Sequence, residues 1–119
     1  MLEINVSIKE EHILNADGRN VKIIEYESTG DGDFLKVCTN DHRLGVSAEY
    51  EWFNKKYLNA EFIKQKYTFI NLNGNIISCD ILLIKLENKE VKKVYFDISQ
   101  MMENLNNMTI GKTNMFLRR

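Results

Sequence analysis

Proline is absent from the 119-residue sequence, which contains only two cysteines, two histidines and one tryptophan. The absence of proline excludes proline-rich recognition motifs and leaves the turns to Gly, Asn and Asp. Two isolated cysteines, Cys38 and Cys79, do not make the disulfide framework of a small secreted domain. The chain must therefore fold around an ordinary apolar core, for which its 44% of hydrophobic residues is typical.

An excess of one charge and a long apolar run are also lacking. The 16 basic and 17 acidic residues give a net charge of −1, which provides no general attraction for nucleic acid or for an anionic membrane. The longest strongly apolar run, Ile81–Ile84, is far shorter than the roughly 20 residues of a membrane-spanning helix. The segment Met1–Val6 has neither a basic region nor a continuous apolar stretch, so we expect no signal peptide and a cytoplasmic location.

Periodicity and turn signals predict one α+β domain over residues 1–119. Residues 109–119 either form a flexible tail or dock on the domain through Met115–Leu117. The connections within each group of three strands are too short for parallel crossovers. This predicts a mainly antiparallel sheet of about six strands, in the order β-β-β-α-β-β-β-α, with one longer and one short helix on one face. The short helix follows a cap at Asp97 or Ser99. The predicted strands cover residues 2–8, 21–27, 34–39, 61–71, 76–86 and 91–98.

The segment Asn73–Gly74 is the strongest hairpin signal in the chain. A two-residue turn there fixes three cross-strand pairs, Ile70 with Ile77, Tyr67 with Asp80 and Ile63 with Ile84. For the last strand, a three-residue loop sets Val94 opposite Ile84 and keeps apolar residues on one face. We therefore prefer this register to the one produced by a two-residue loop.

The longer helix is predicted over residues 48–58, with Ser47 as its N-cap. Its buried stripe is predicted from four residues at helical spacing, Val46, Tyr50, Phe53 and Tyr57. Trp52 then projects nearly opposite this stripe. Because Trp is unusual on a polar face and frequent among binding hot spots, we interpret Trp52 as an exposed anchor. The alternatives are that another segment covers Trp52 or that the predicted helix phase is wrong.

Candidate catalytic groups are few, and we name no catalytic residue. Cys38 lies four residues from His42, and a thiol nucleophile needs a nearby base, but Cys38 falls inside a predicted strand. His12 and His42 could support acid–base cleavage of RNA only if the fold brought them together. Paired metal-ligand spacing is missing and no cofactor motif is complete, so we expect neither a metal nor a cofactor.

The charges are unevenly distributed along the chain. Residues 1–60 carry 11 acidic and 7 basic residues, whereas residues 61–119 carry 6 and 9. The acids of the first half predict a patch that steers a basic partner, although an ordinary solvated surface is the alternative interpretation. The predicted partner-binding residues are Trp52, Asp31, Asp33, Asp41 and Glu49. A basic surface arises only if the fold brings together Lys64, Lys66, Lys92 and Lys93.

Two segments, Glu49–Tyr57 and Val94–Ser99, resemble segments of small bacterial single-domain proteins of unassigned function. This likeness covers the C-terminal two-thirds of the chain. In size and character the chain is also similar to immunity proteins of bacterial toxin–immunity systems. Because immunity proteins share no common motif, the second likeness implies a type of function and transfers no functional residue.

We therefore expect a non-enzymatic cytoplasmic protein-binding module, and specifically an immunity protein that neutralises a basic toxin domain by direct binding. One alternative is a small hydrolase or ribonuclease that uses His12, His42 or a cysteine. The other is a homodimeric scaffold that self-associates through the Trp52 face. Membranes and nucleic acids are not expected as partners.

Overall fold

A computed structural model describes residues 3–29, 32–72 and 74–108, without the side chains of residues 3–6, 29 and 104–108. Asp31 and the predicted tail over residues 109–119 lie outside the described residues. Six strands and two helices confirm the predicted α+β class. In chain order they are β1 (Glu3–Ala16), β2 (Arg19–Thr29), β3 (Gly32–Cys38), α1 (His42–Lys56), β4 (Glu61–Leu72), β5 (Asn75–Lys85), β6 (Val91–Asp97) and α2 (Ser99–Met108).

The six strands form a single sheet in the order β1-β2-β3-β6-β5-β4. The three strands of each half pair antiparallel with their sequence neighbours. The two halves meet at β3 and β6, which run parallel, so the sheet is mixed and not purely antiparallel. At this junction a Cβ added to Gly32 would lie only 1.9 Å from the backbone oxygen of Lys93, so glycine allows the close approach of the two strands.

Both long hairpins close tightly, since Ala16 pairs with Arg19 and Leu72 pairs with Asn75. Asp17 and Gly18 adopt positive φ angles of 53° and 82°, the backbone conformation that matches the twist of paired strands. At the second hairpin the predicted pairs of Ile70 with Ile77 and Tyr67 with Asp80 are confirmed. Ile84, however, lies opposite Phe62 and not Ile63, because a bulge inserts an extra residue between Phe62 and Lys64.

The predicted register of β6 is wrong by two residues. Ile84 lies opposite Lys92, where we expected Val94. The loop from Leu86 to Glu90 is longer than predicted and is closed by a 2.8 Å hydrogen bond from the Leu86 N–H to the Glu90 carbonyl. A shift of two residues leaves every side chain on its predicted face, so the apolar pattern could not distinguish the two registers.

The predicted start of the longer helix is also wrong. Asp41 is the N-cap of α1, and its carboxylate accepts a 3.1 Å hydrogen bond from the Leu44 N–H. The additional first turn places Leu44 in line with Ala48 and Trp52 at a spacing of four residues, and all three are buried. Trp52 is only 2% exposed, whereas Tyr50 of the predicted stripe is 37% exposed. The interpretation of Trp52 as an exposed anchor is therefore wrong.

Both helices pack on the same face of the sheet. Trp52 of α1 and Met101 of α2 belong to one core cluster with Leu35 of β3 and Phe96 of β6. The opposite side of the sheet, which we call the second face, contains a smaller buried cluster of Phe34, Cys79 and Tyr95. Neither helix, over the part of the chain that the structure describes, is long and apolar enough to cross a membrane.

The burial of Trp52 predicts its fluorescence, because it is the only tryptophan in the chain. Its ring contacts Phe96 edge-on, with 5.7 Å between the ring centroids, in the core between α1 and the sheet. We expect a blue-shifted emission maximum and weak quenching by iodide, since neither water nor the ion reaches the indole.

The matched control is the double variant Trp52→Phe/Tyr50→Trp, which moves the tryptophan to the exposed side of the same helix. This variant should emit at longer wavelength and be quenched strongly by iodide. Emission from the wild type at the wavelength of a solvated indole would contradict the helix phase described above.

Candidate functional site

Among the residues that the structure describes, those that were predicted to bind a partner do not lie together. Asp41 is exposed at the start of α1, Asp33 is buried on β3, and Glu49 is buried on the sheet-facing side of α1. Trp52 lies in the core, and Asp31 is outside the described residues. Of the described members only Asp41 is exposed, so these residues do not form the predicted acidic patch with an apolar anchor.

A different charged cluster lies where the end of α1 meets the sheet, and it is centred on Glu25 of β2. The buried carboxylate has His12 Nε2 at 2.9 Å, Lys56 Nζ at 3.0 Å and Lys9 Nζ at 3.6 Å. Since an ionised carboxylate only accepts hydrogen bonds, His12 donates through Nε2. Burial alone would raise the pKa of Glu25, but the hydrogen bonds from His12 and Lys56 and the charges of the two lysines outweigh it and lower that pKa.

Asp33 extends the same cluster across β3. The hydroxyl of Tyr57 donates to its carboxylate, and Lys56 and Lys92 place their Nζ atoms 3.7 and 3.8 Å from it. Burial, together with the hydrogen bond to Asp33, raises the pKa of Tyr57, so the phenol remains a neutral donor. Lys56 contacts both Glu25 and Asp33, and the cluster thereby ties the end of α1 to four strands of the sheet.

The sequence contained a signal for this cluster that was overlooked. Glu25 continues the alternation of Val21 and Ile23, whose side chains point into the core, so it occupies a position where an apolar residue is expected. A carboxylate at such a position requires cationic or hydrogen-bonding partners. This reasoning predicts a buried ion pair, although the sequence does not reveal that Lys56 and His12 supply it.

Glu10, His12 and Glu25 are also close enough to be considered as metal ligands, since one candidate atom from each lies within 4.8 Å of the others. Two lysine ammonium groups, however, already bind the second carboxylate oxygen of Glu25. Together they balance the charges of the two glutamates, so a divalent cation would add uncompensated positive charge. We assign this cluster a structural role and place no metal in it.

The groups required for hydrolysis do not converge among the described residues. His42 is the first residue of α1. His12 lies beside Trp52 and binds the Glu25 carboxylate, which Lys56 also contacts from the last turn of α1. The two histidines therefore lie near opposite ends of the helix. Burial raises the pKa of both thiols, Cys38 and Cys79, which is the opposite of what a thiolate nucleophile needs. Two surface cavities of about 360 and 430 Å³ are lined by no histidine or cysteine of the described chain.

The strand β4 lies at one edge of the sheet, and none of its residues is fully buried. Its outer edge pairs with no strand among the described residues, and its first six residues are all exposed. On the face that also bears the helices, Phe62 is 42% and Phe69 is 63% exposed. Tyr50 of α1 lies beside Phe62, with 6.4 Å between the ring centroids, and donates a 3.0 Å hydrogen bond to the Gln65 side chain.

The sequence prediction missed this edge because an apolar strand inside a sheet and an apolar strand at its edge have the same pattern. Only the strand order shows that β4 lies at the end of the sheet. No protein-family model, no curated protein and no solved structure matches the chain. The interpretation of the candidate site therefore depends on its own geometry.

The cluster around Glu25 predicts a specific dependence of stability on pH. Because the folded-state pKa of Glu25 is lowered, its contribution is fully present above the ordinary glutamate pKa of about 4.3 and is lost as the pH falls through the lower value. Glu25→Gln should reduce the free energy of unfolding by about 2 kcal/mol at pH 7, since it removes a charged acceptor from two lysine ammonium groups and from the His12 N–H. The measurement is urea denaturation of both proteins from pH 7 to pH 2.5.

The difference between wild type and Glu25→Gln should shrink as the solution becomes more acidic, because protonation removes the same charge from the wild type. Glu27→Gln is the matched control, since Glu27 is an exposed glutamate on the same strand. It should change stability by less than about 0.5 kcal/mol at every pH. A difference for Glu25→Gln that is constant across this pH range would contradict the ionised cluster.

Proposed function

We propose that this chain is a non-enzymatic protein-binding module and that β4 is the strand to which its partner binds. The observation that carries the proposal is an edge strand of 12 residues whose outer hydrogen-bonding groups face no other described strand and which exposes large apolar side chains. Natural proteins usually keep such edges short or covered. An extended segment of another protein can add to such an edge by forming main-chain hydrogen bonds.

The side chains around β4 supply apolar contact for an added strand. Tyr67 and Phe69 pack edge-on, with 5.6 Å between their ring centroids, on the same face as Phe62. Because side chains alternate between faces, every second residue of an added strand would lie against these aromatic rings. Main-chain pairing would provide affinity, and these contacts would provide specificity.

This surface replaces Trp52 and the acidic residues as the proposed docking element, while the proposed class of function is unchanged. An immunity protein needs a surface that covers its toxin and needs no catalytic group. The small size of the chain and its exposed edge suit that role, and we retain it within the proposal. A toxin would then supply the extended segment that binds β4.

The proposal predicts that removal of the exposed aromatic side chains weakens partner binding without unfolding the protein. Wild type and the double variant Phe62→Ser/Phe69→Ser would be used for affinity capture from the native lysate. We expect the partner to bind the variant at least about tenfold more weakly, because two apolar side chains no longer become buried on binding. In the wild-type complex, backbone amides of β4 should exchange more slowly with solvent than in the free protein.

The matched control is Ile13→Ser, which removes a 60% exposed apolar side chain from β1, at the opposite edge of the sheet from β4. It should capture the partner as well as the wild type does. Equal capture by the double variant, or a partner whose binding leaves β4 exchange unchanged, would rule out β4 as the docking strand.

A further inference from the structure

Lysine side chains converge on the second face of the sheet at the end formed by β4. Lys64 lies directly opposite Leu83 of β5, which in turn lies opposite Lys93 of β6, so the three side chains form one row across the strands. Lys66 lies one step further along β4, opposite Ile81, on the same face. Three of the four lysines considered in the sequence therefore share this surface, whereas Lys92 points to the other face and approaches Asp33.

Beyond the bulge at Ile63, the β4 edge carries only positive charge, although the strand begins with the exposed Glu61. Lys64 and Lys66 are exposed, and the segment from Lys64 to Leu72 contains no acidic residue. The opposite edge strand, β1, carries Glu10 and Glu11 in exposed positions. The excess of acid in the first half of the chain and of base in the second half thus becomes a charge difference between the two edges of the sheet.

We infer that the strand accepted by β4 carries acidic residues opposite Lys64 and Lys66, and that these residues alternate with apolar residues. This inference rests on the proposed function. In an added strand, residues opposite Lys64 and Lys66 lie on the second face, where carboxylates would form cross-strand ion pairs. The intervening residues lie on the other face, beside Gln65, Tyr67 and Phe69, where apolar side chains would pack against the aromatic rings.

The same lysines disfavour a second copy of the chain that pairs with β4 around residues 64–66. Consider two β4 strands that pair antiparallel about a two-fold axis, with equivalent faces on the same side. If the axis passes through residue 64, 65 or 66, a lysine of one copy lies directly opposite a lysine of the other. Like charges in direct cross-strand positions destabilise a pair of strands. The bulge at Ile63 also interrupts regular pairing at the start of β4. An acidic segment from another protein would not be repelled by these lysines, and it need not pair with two-fold symmetry.

The test uses three synthetic peptides as long as the Lys64–Leu72 segment. The first alternates Glu and Val, the second alternates Lys and Val, and the third has the composition of the first with its Glu and Val residues in separate blocks. Binding to the full chain would be followed by NMR chemical shifts of backbone amides. We expect the alternating acidic peptide to shift the amides of β4 and to bind about tenfold more tightly than either other peptide.

Charge reversal at the edge provides the decisive comparison. The variant Lys64→Glu/Lys66→Glu should prefer the alternating basic peptide. The control Lys55→Glu/Lys89→Glu makes the same change in net charge at exposed positions away from β4, and it should keep the preference of the wild type.

The possible failures are distinguishable. Equal binding of the acidic and basic alternating peptides at β4 would overturn the charge selectivity while strand addition would stand. Two further results would overturn only the inferred acidic and apolar sequence of the partner strand. One is chemical-shift changes confined to residues outside β4. The other is the absence of binding by any peptide although the wild type captures its partner through β4. Sedimentation of the pure protein as a dimer that Phe62→Ser/Phe69→Ser dissociates would identify a second copy as the occupant and overturn both proposals.

Discussion

The parallel pairing of β3 with β6 is the contact on which the rest of the architecture depends. Each half of the chain forms its own antiparallel group of three strands, and this pair of inner strands joins the groups into one sheet. Because β3 and β6 occupy the centre, the first strand of each group is displaced to an outer edge. The close approach at Gly32 is one condition for this arrangement, since a side chain there would meet the backbone of Lys93. The exposure of β4 is therefore a consequence of the topology.

Polar groups are paired in the cluster around Glu25 and Asp33, whereas polar and apolar groups are accessible at the edge of β4. In the cluster, buried carboxylates are compensated by Lys56, His12 and Lys92, which hold the end of α1 against the sheet. Such compensated groups contribute to a specific structure but offer little to a partner, since their bonding capacity is already used. At β4, by contrast, main-chain groups and aromatic rings are accessible. This contrast is why we assign a structural role to the cluster and propose a binding role for the edge.

Much of the fold could be predicted from the sequence, and the errors have specific physical causes. The hairpin at Asn73–Gly74 was predictable because its turn chemistry is local, and the α+β class followed from periodicity. The helix phase was wrong because the first turn from His42, with its cap at Asp41, was left out, and Leu44 was the residue that aligned Trp52 with the core. The candidate site was not predictable, because strand order is a long-range property that determines which apolar strand lies at an edge. The distribution of charge along the chain indicated a possible basic surface, but only the strand pairing shows that Lys93 shares a face with Lys64 and Lys66. Lys92 lies on the other face.

Residue-resolved hydrogen exchange of the free protein tests most directly the claim that β4 is an open edge. An edge strand directs alternate N–H groups towards its one neighbour and the others towards solvent. From Lys64 to Leu72 we therefore expect slow and fast exchange to alternate, whereas the inner strands β3 and β6, paired on both sides, should be protected throughout their shared register. Continuous protection of β4 in dilute solution would show that its outer edge is already paired or covered, and it would contradict the proposal that β4 is the strand to which a partner binds.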